Sequence, residues 1–477
     1  MRGRERRQCG GWSGPPGDGR GTAGGASAGG WSAGVRNFAP GCIALVLLAA
    51  AGAARCQVAE SWEYGAYECL TIRSIEVSGN RHTKDYVILR ELQAEVGEPL
   101  TEETVRTDLK RLTKLSALAK VDIAPQPAED GVVYVVTVSE TAWLLPTAIP
   151  NHSEENGWSL GPMLLTPNGL GRGISLSLST QFGGITKYSV LAVDPWLWCA
   201  PRQLSISGGT TYQERKDKIR DSNEITSTSS LRAVLYPGRN RFVSIGLGAQ
   251  YLRAMSDKPG VTLSPRNHDH LRRVELLCRV NTVEDPLNPR AGWVAGLQEM
   301  KTGGRLGGDG DSWRSQADVA RYQPLSERGV LAVGGVFDHQ TGVVGEEIPT
   351  YLQYSLGGVN NLCGYSRTRL GKVFLGKNQL LGTVEYNFLM MSPRKIQLFG
   401  VPFLSARVGF NAVIFVDYGV AWSEEADLAW SRSRTGYGLG VHAMVPGVDR
   451  IRLDVGFSQE GDVEIHIGTR SKLDAHR

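Results

Sequence analysis

The chain predicts a mainly β fold, a 16-stranded transmembrane antiparallel β-barrel preceded by one small α+β domain. Three observations carry that expectation. From Trp158 to Thr469, runs of 8–14 residues alternate apolar with small or polar side chains, and each run ends in a Gly/Pro/Asp-rich break. Ile174, Leu176, Leu178 and Phe182 fall on one face of such a run; Ser175, Ser177, Ser179 and Gln181 fall on the other. A period of two means strand, and one greasy face against one small, wet face suits lipid outside and water inside. The runs begin near 142, 157, 172, 187, 202, 224, 242, 270, 291, 312, 330, 379, 404, 434, 450 and 462, which gives sixteen, an even number. Residues 70–140 follow a different rule, with two helical periods among short strands.

Residues 1–54 read as a low-complexity leader and signal peptide. The first 34 residues are rich in Gly, Arg and Ser, which places the translated start near Val35. Phe38 to Ala54 is a short apolar run behind Arg36 that closes on Ala51-Gly52-Ala53-Ala54, a small-x-small cleavage pattern. Six arginines against Glu5 and Asp18 in this leader account for the formal charge of +4, so the remainder is near neutral. Without a basic patch interleaved with aromatics, nucleic acid is not an expected partner. Cys9 and Cys42 leave with the leader. Cys56 and Cys69 either close a short loop in an oxidising compartment or stay as thiols. Cys199, Cys278 and Cys363 lack metal-ligand spacing.

In the small domain, Ile72, Ile75 and Val77 lie in a strand that ends at the turn Ser78-Gly79-Asn80. Thr83 is placed to cap a helix over 84–95 with Ile88, Leu92 and Val96 on one stripe, and Gly97 and Pro99 break it. Thr101 caps a second helix, with Glu102 and Glu103 at the positive end of its dipole and Val105, Leu109 and Leu112 on its buried face. Strands over 119–124 and 132–139 follow, split by Glu129-Asp130-Gly131. The order strand, helix, helix, strand, strand, opening on Ile-Glu-Val-Ser-Gly-Asn and closing on Val-Thr-Val-Ser-Glu, resembles a POTRA domain. Such domains receive clients as an added strand at a sheet edge; the alternative is a packed spacer.

Four fragments of the strand region extend the resemblance to the BamA/TamA-type outer-membrane assembly superfamily, the bacterial surface antigen barrel. Asn168-Gly169-Leu170-Gly171-Arg172-Gly173 is similar to the turn before an early strand. Residues 285–293, Asp285 to Trp293, are similar to a tight periplasmic hairpin. Leu356 to Tyr365 resembles the loop that folds back into the lumen, with Gly357, Gly358, Leu362, Cys363, Gly364 and Tyr365 as its signature. Val413 to Gly419 resembles the strand facing that loop, followed by Gly436-Tyr437-Gly438-Leu439-Gly440.

The resemblance implies an arginine at position 363 that pairs with Asp417, an arginine two residues after Glu385, and another after Gly440. This chain has Cys363, Asn387 and Val441-His442 instead. A buried carboxylate without its cation is costly, so Asp417 needs a substitute partner. Arg367 and Arg369 are the expected compensating cations; a loop seated by packing alone is the alternative. Along the strands, Val243, Ile245, Leu247, Ala249 and Tyr251, and later Ile451, Leu453, Val455 and Phe457, are expected to face lipid, with Arg452 and Asp454 inward. Trp158, Trp196, Trp198, Tyr236, Trp293, Trp313, Tyr322 and Trp422 are expected in interfacial girdles.

The resulting organisation is leader 1–54, POTRA-like periplasmic domain 70–140, outer-membrane barrel 142–470 and polar tail 471–477. The family commonly closes on a terminal aromatic, which this chain replaces with its polar tail, and Pro146 weakens pairing at the seam between first and last strands. Enzyme chemistry finds no support: Gly30-Trp31-Ser32-Ala33-Gly34 sits in the leader without the strand-turn-helix it requires, and His268-Asp269-His270 reads as a solvated loop rather than a metal site. No cofactor is expected. The resemblance implies insertion or translocation of proteins at the outer membrane. The implied partners are outer-membrane lipid, unfolded client barrel or secreted proteins, and accessory periplasmic proteins. The rival reading is a passive pore or surface antigen barrel that kept the scaffold without that activity.

Overall fold

Ile72, Val132, Tyr134, Val136 and Ile123 sit at alternate positions of three short strands, and alternation places them together in one small core. In the computed structural model these strands are β1 (Ile72–Ser78), β2 (Leu118–Ala128) and β3 (Gly131–Glu140), ordered β1-β3-β2 with β1 parallel and β2 antiparallel to β3. Helices α1 (Asp85–Leu89) and α2 (Glu102–Thr113) cover the sheet. The structure describes residues 65–153, 155–197, 203–238, 241–283, 285, 288–370, 374–397, 405–424, 432–445, 449–468 and 472–474. The leader, Cys9, Cys42, Cys56, Cys199 and Trp198 lie outside them.

Three expectations about this domain change. The first helix spans five residues, not twelve, because buried Asp108 of α2 accepts the backbone N–H groups of Gln93 and Ala94 and holds them off a helical path. Thr83 is not its cap: Lys84 is the N-cap residue, and the Thr83 hydroxyl accepts from Asn168 Nδ2 at 2.8 Å. Thr101 does cap α2, through the N–H of Thr104 at 3.1 Å. Leu109 is exposed, and Asp108 takes the inward position, donated to by the Tyr134 hydroxyl at 3.0 Å.

The remaining chain forms one 16-stranded antiparallel sheet. Its strands are β4 (Leu145–Ser153), β5 (Gly157–Gly169), β6 (Ile174–Gly183), β7 (Thr186–Asp194), β8 (Gln203–Asp217), β9 (Ser222–Tyr236), β10 (Val243–Ser256), β11 (His268–Asn281), β12 (Gly292–Gly303), β13 (Asp311–Pro324) and β14 (Gly329–Thr341). A long loop follows, carrying the two-residue strands β15 (Tyr354–Ser355) and β16 (Leu375–Gly376) with the short helix α3 (Arg367–Leu370) between them. The sheet resumes with β17 (Asn378–Gln397), β18 (Ser405–Trp422), β19 (Arg434–Val445), β20 (Asp449–Ser458) and β21 (Val463–Gly468). Every strand pairs with its neighbour in sequence except across the long loop, where β14 pairs with β17. Each expected strand start lies within three residues of the observed one.

Alternation sorts the side chains as expected. Ile245, Leu247, Tyr251, Ile451 and Leu453 are exposed on the outer face, while Arg452 and Asp454 are fully buried inside. The aromatic girdle is only partly as expected. Trp158 and Trp313 are exposed and Tyr322 turns inward with the parity of Ala320, whereas Trp422 keeps the outer-face parity of Ile414 and Val416 and is covered beside Phe337. Trp196 packs between the guanidinium groups of Arg90 and Arg241.

The two sheet edges meet at β4 and β21, which approach each other without a hydrogen-bonded ladder among the described residues. Both are short. A strand of six residues such as β21 reaches about 20 Å, well below the ~30 Å of a hydrocarbon core. Farther from that edge, β18 and β17, the fourth and fifth strands counted from β21, have 18 and 20 residues.

Candidate functional site

The long loop between β14 and β17 enters the barrel and lies against the inner face of the C-terminal strands. Glycines make the approach possible. Gly364 has φ +85°, and a side chain there would overlap the backbone of Phe457 and Ser458. A Cβ on Gly436 of β19 would overlap the Cys363 carbonyl, and one on Gly456 of β20 would overlap the Gly364 amide. Small residues on both surfaces thus let backbone lie on backbone. Gly357 and Gly358, at φ +100° and +94°, turn the loop at its entry.

Polar groups then hold the loop from four strands. Asp417 of β18 is fully buried, and its Oδ2 accepts the Cys363 N–H at 3.1 Å. Its Oδ1 accepts from the Thr383 hydroxyl of β17 at 2.7 Å. Arg452 of β20 donates through Nη2 to the Val359 carbonyl at 2.9 Å and to Asn360 Oδ1 at 3.2 Å. The same guanidinium donates from Nη1 to Asp454 Oδ2 at 3.3 Å, and His442 of β19 lies 2.9 Å from Asp454 Oδ1. His466 of β21 accepts the Gly364 N–H at 3.0 Å. The Tyr365 hydroxyl donates to the Thr435 carbonyl and accepts the Gln459 N–H, both at 3.3 Å. Leu356 and Leu362 are fully buried, and Gly419 leaves room for both.

The cation on Asp417 comes from elsewhere than expected. Lys472 Nζ donates to Asp417 Oδ2 at 2.8 Å and sits 3.3 Å above the centre of the Phe415 ring. Arg367 lies elsewhere: its Nε donates to Ser355 Oγ at 2.9 Å and pairs with Glu155 at 3.3 Å. The side chain of Arg369 lies outside the described residues. α3 carries Arg367 to Ser355 and Glu155, whereas Lys472 and Leu473, within the segment read as a polar tail, lie inside the barrel. Lys472 and Leu473 are both buried, and Leu473 packs with Val294, Ala320, Tyr322, Val330 and Ala332. Glu385 is buried on the same wall, and Asn387 reaches its Oε2 only at 3.5 Å.

Between the loop, which contributes Tyr354, Gly357 and Asn360, and the inner wall, which contributes Arg232, Arg279, Arg314, Asp318 and Asp338, lies a cavity of about 610 Å³. Its charges come in pairs, Arg314 with Asp338 at 2.8 Å and Arg232 with Glu275 at 2.6 Å among them. His268 and His270 stack edge to face on β11, while Asp269 turns to the opposite face and accepts the N–H groups of Leu263 and Ser264.

At the other end of the barrel the small domain is docked. Lys84 N–H donates to the Gly171 carbonyl at 2.9 Å, Asn168 reaches Thr83, and Arg241 pairs with buried Glu91 at 2.6 Å. The turn 168–173 is therefore the seat of that domain as well as the lead-in to β6.

A model of the Omp85 superfamily domain matches residues 168–469. The chain belongs to the Omp85 superfamily. A POTRA model, described as a surface antigen variable number repeat, matches residues 70–140. The outer membrane protein assembly factor BamA of Nitratidesulfovibrio vulgaris is 23% identical over 411 residues, covering 83% of this chain and 50% of that protein. The chain thus spans half the length of the curated relative it matches. In fold it is similar to BamA from Haemophilus ducreyi lacking POTRA domains 1–3, with a TM-score of 0.58, 17% identity and 83% of each chain covered. It is also similar to CdiB from Acinetobacter baumannii, with a TM-score of 0.52, 10% identity, and 84% of this chain and 72% of that one covered. As an Omp85 protein it lies in the outer membrane with its POTRA domain in the periplasm. The turns at 168–173 and 282–291 are then periplasmic, and the lumen loop enters from the outer side.

Sequence reasoning named the loop and Asp417 but missed four of the groups that hold it. His442, His466 and Thr383 share inward parity with recognised positions, so alternation alone marks them as lumen residues. Lys472 carries no local signal, being one basic residue in a polar segment.

Proposed function

We propose that this protein assists the insertion or translocation of other proteins at the outer membrane, without catalysis, by offering a weak strand seam to an incoming β-strand. The observation that carries the reading is the approach of β4 and β21 without a hydrogen-bonded ladder among the described residues. An edge with free backbone groups templates a new strand by ordinary hydrogen bonding. Six residues in β21 are too few to match a bilayer, so lipid beside the seam must thin to meet it. The docked POTRA domain, with β1 and β2 at the two edges of its sheet, adds a periplasmic surface of the same kind. Unfolded barrel or secreted proteins are the clients this chemistry accepts, and periplasmic accessory proteins are compatible with it.

The second reading, a passive pore, draws on the 610 Å³ lumen cavity; the loop seated beside it works against free conduction. Depletion of the protein in its own cell separates the two. Reduced outer-membrane levels of other barrel or secreted proteins are expected. Unchanged levels with altered solute permeability would overturn the insertion reading.

A further inference from the structure

The outer face of the barrel changes character along two neighbouring strands. On β10 the outward positions Val243, Ile245, Leu247 and Ala249 are apolar and lead to Tyr251; the next outward residue is Arg253, which is exposed. On β11 the outward positions Cys278, Leu276 and Val274 are followed by Arg272, His270 and His268. Both changes fall at the strand ends away from the periplasmic turn 282–291. Basic side chains thus cap the apolar band where acyl chains give way to the head groups of the outer leaflet. Just inside that boundary the surface is hollowed. A groove of about 450 Å³ is bordered by Leu231 of β9, Ala249 and Tyr251 of β10, Arg272 and Val274 of β11, and Leu306. At its outer rim four residues form a square, with Tyr251 opposite Arg272 and Arg253 opposite His270. The Tyr251 hydroxyl lies 2.6 Å from His270 Nδ1 and ties one diagonal together; the two arginines hold the other corners. Arg272 donates from Nη1 to the Leu306 carbonyl at 3.2 Å, and Arg253 has no hydrogen bond or ion pair among the described residues. The carboxylates nearby are answered by other groups. Asp309 accepts the His270 N–H, Asp311 pairs with Lys301, and Glu299 accepts from Trp313 Nε1 and Ser315 Oγ.

We propose that this rim and groove bind one phosphate-bearing acyl lipid of the outer leaflet, with an acyl chain in the groove and the phosphate held by Arg253 and Arg272. The charge selects an anion: two exposed guanidinium groups stand here without a carboxylate on either. A guanidinium presents a planar fork of N–H donors that matches phosphate oxygens. The groove selects a lipid, because its walls include Leu231, Ala249, Val274 and Leu306 and it opens among the acyl chains, where a free anion has no place. The arginine stems run along the apolar surface while their heads reach the interface. A head group held there fixes the depth at which this wall sits in the bilayer. In sheet order β9 is five strands from β4, and β11 is eight from β21. The site is therefore remote from the seam and does not rest on the client-insertion reading.

The test uses the folded full chain in micelles of a neutral detergent, with bound lipid counted by native mass spectrometry. Phosphatidylglycerol and phosphatidylcholine with the same acyl chains are the probes, and inorganic phosphate alone is the third arm. The wild-type chain is expected to retain phosphatidylglycerol several-fold better than phosphatidylcholine and to give no adduct with phosphate alone. Arg253→Gln/Arg272→Gln is expected to lower phosphatidylglycerol retention on the order of tenfold and to leave phosphatidylcholine unchanged. Arg253→Gln alone removes no internal contact, so it carries the test if the double variant does not fold; a loss of about threefold is expected. Ala249→Phe, which fills the groove with an apolar ring, is expected to lower retention of both lipids. Arg321→Gln, near the periplasmic end of β13, is expected to leave retention at the wild-type level. Equal retention of the two lipids by the wild-type chain, no loss in the arginine variants at the rim, or an equal loss in Arg321→Gln would overturn the phosphate site. Unchanged retention in Ala249→Phe would overturn the groove, and an adduct with phosphate alone would overturn the lipid as its occupant.

Discussion

At the residue scale, the costliest positions are those where a buried polar group serves several donors or a glycine lies directly against a neighbouring backbone. Asp108 is fully buried and satisfies two backbone N–H groups and the Tyr134 hydroxyl at once. Asp108→Ala strands all three donors, and a loss of about 3 kcal/mol is expected, read as a lowered denaturant midpoint of the POTRA domain in the full-length protein. Burial outweighs the hydrogen bonds and pushes the Asp108 carboxyl above its ordinary value of 3.8. The native state therefore holds that proton more tightly than the unfolded one. The contribution of Asp108 to stability declines as pH rises from 3.8 through the raised value, and a Tyr134→Phe variant with fewer donors should shift that decline toward higher pH. Gly436 is the corresponding position in the barrel. Gly436→Ala places a methyl on the Cys363 carbonyl, and the loop is expected to lift enough for protease to cut near Arg367 while the barrel stays folded. Resistance equal to wild type would show that the wall yields instead.

At the scale of elements, the edge strand β4 explains itself. A proline cannot donate to a ladder, so Pro146 and Pro150, paired with Leu164 and Leu160 of β5, must turn their ring nitrogens to the open side. Two donors are thereby missing from the edge that faces β21. Replacing both prolines by alanine restores those donors and is expected to slow amide exchange over 463–468 several-fold, as β4 and β21 begin to pair. No change in exchange would mean that geometry, not missing donors, keeps the edges apart. The same scale shows what patterns reveal and what they conceal. The strand starts were legible because a half-wet strand repeats every two residues, and the cap at Thr101 because its chemistry is local. The short α1 was not legible, since its last turn is prevented by Asp108, 15 residues beyond Gln93.

At the scale of the whole molecule, the outer face is continuous with lipid and the inner face is a polar network. Leu247→Arg, on the outer face near the middle of β10, is expected to cost about 2–4 kcal/mol, whereas Gln250→Glu on the inner face of the same strand, where Arg273 donates to residue 250 at 3.0 Å, is expected to be tolerated. Refolding yield into lipid vesicles, scored by the heat-modifiable band, measures both; equal yields would contradict the assignment of faces. The amino-acid order by itself determined the barrel, its strand count, the POTRA-like domain and the identity of the lumen loop, because each rests on periodicity or on contiguous motifs. Only the tertiary structure decided which cation meets Asp417. Arg367 is 50 residues from Asp417 and Lys472 is 55, so separation along the chain does not rank them. The choice follows from where α3 carries one and where the end of β21 delivers the other. A buried charge is satisfied by whatever group the completed fold brings within hydrogen-bonding distance, and that distance exists only once sixteen strands have set the lumen around it.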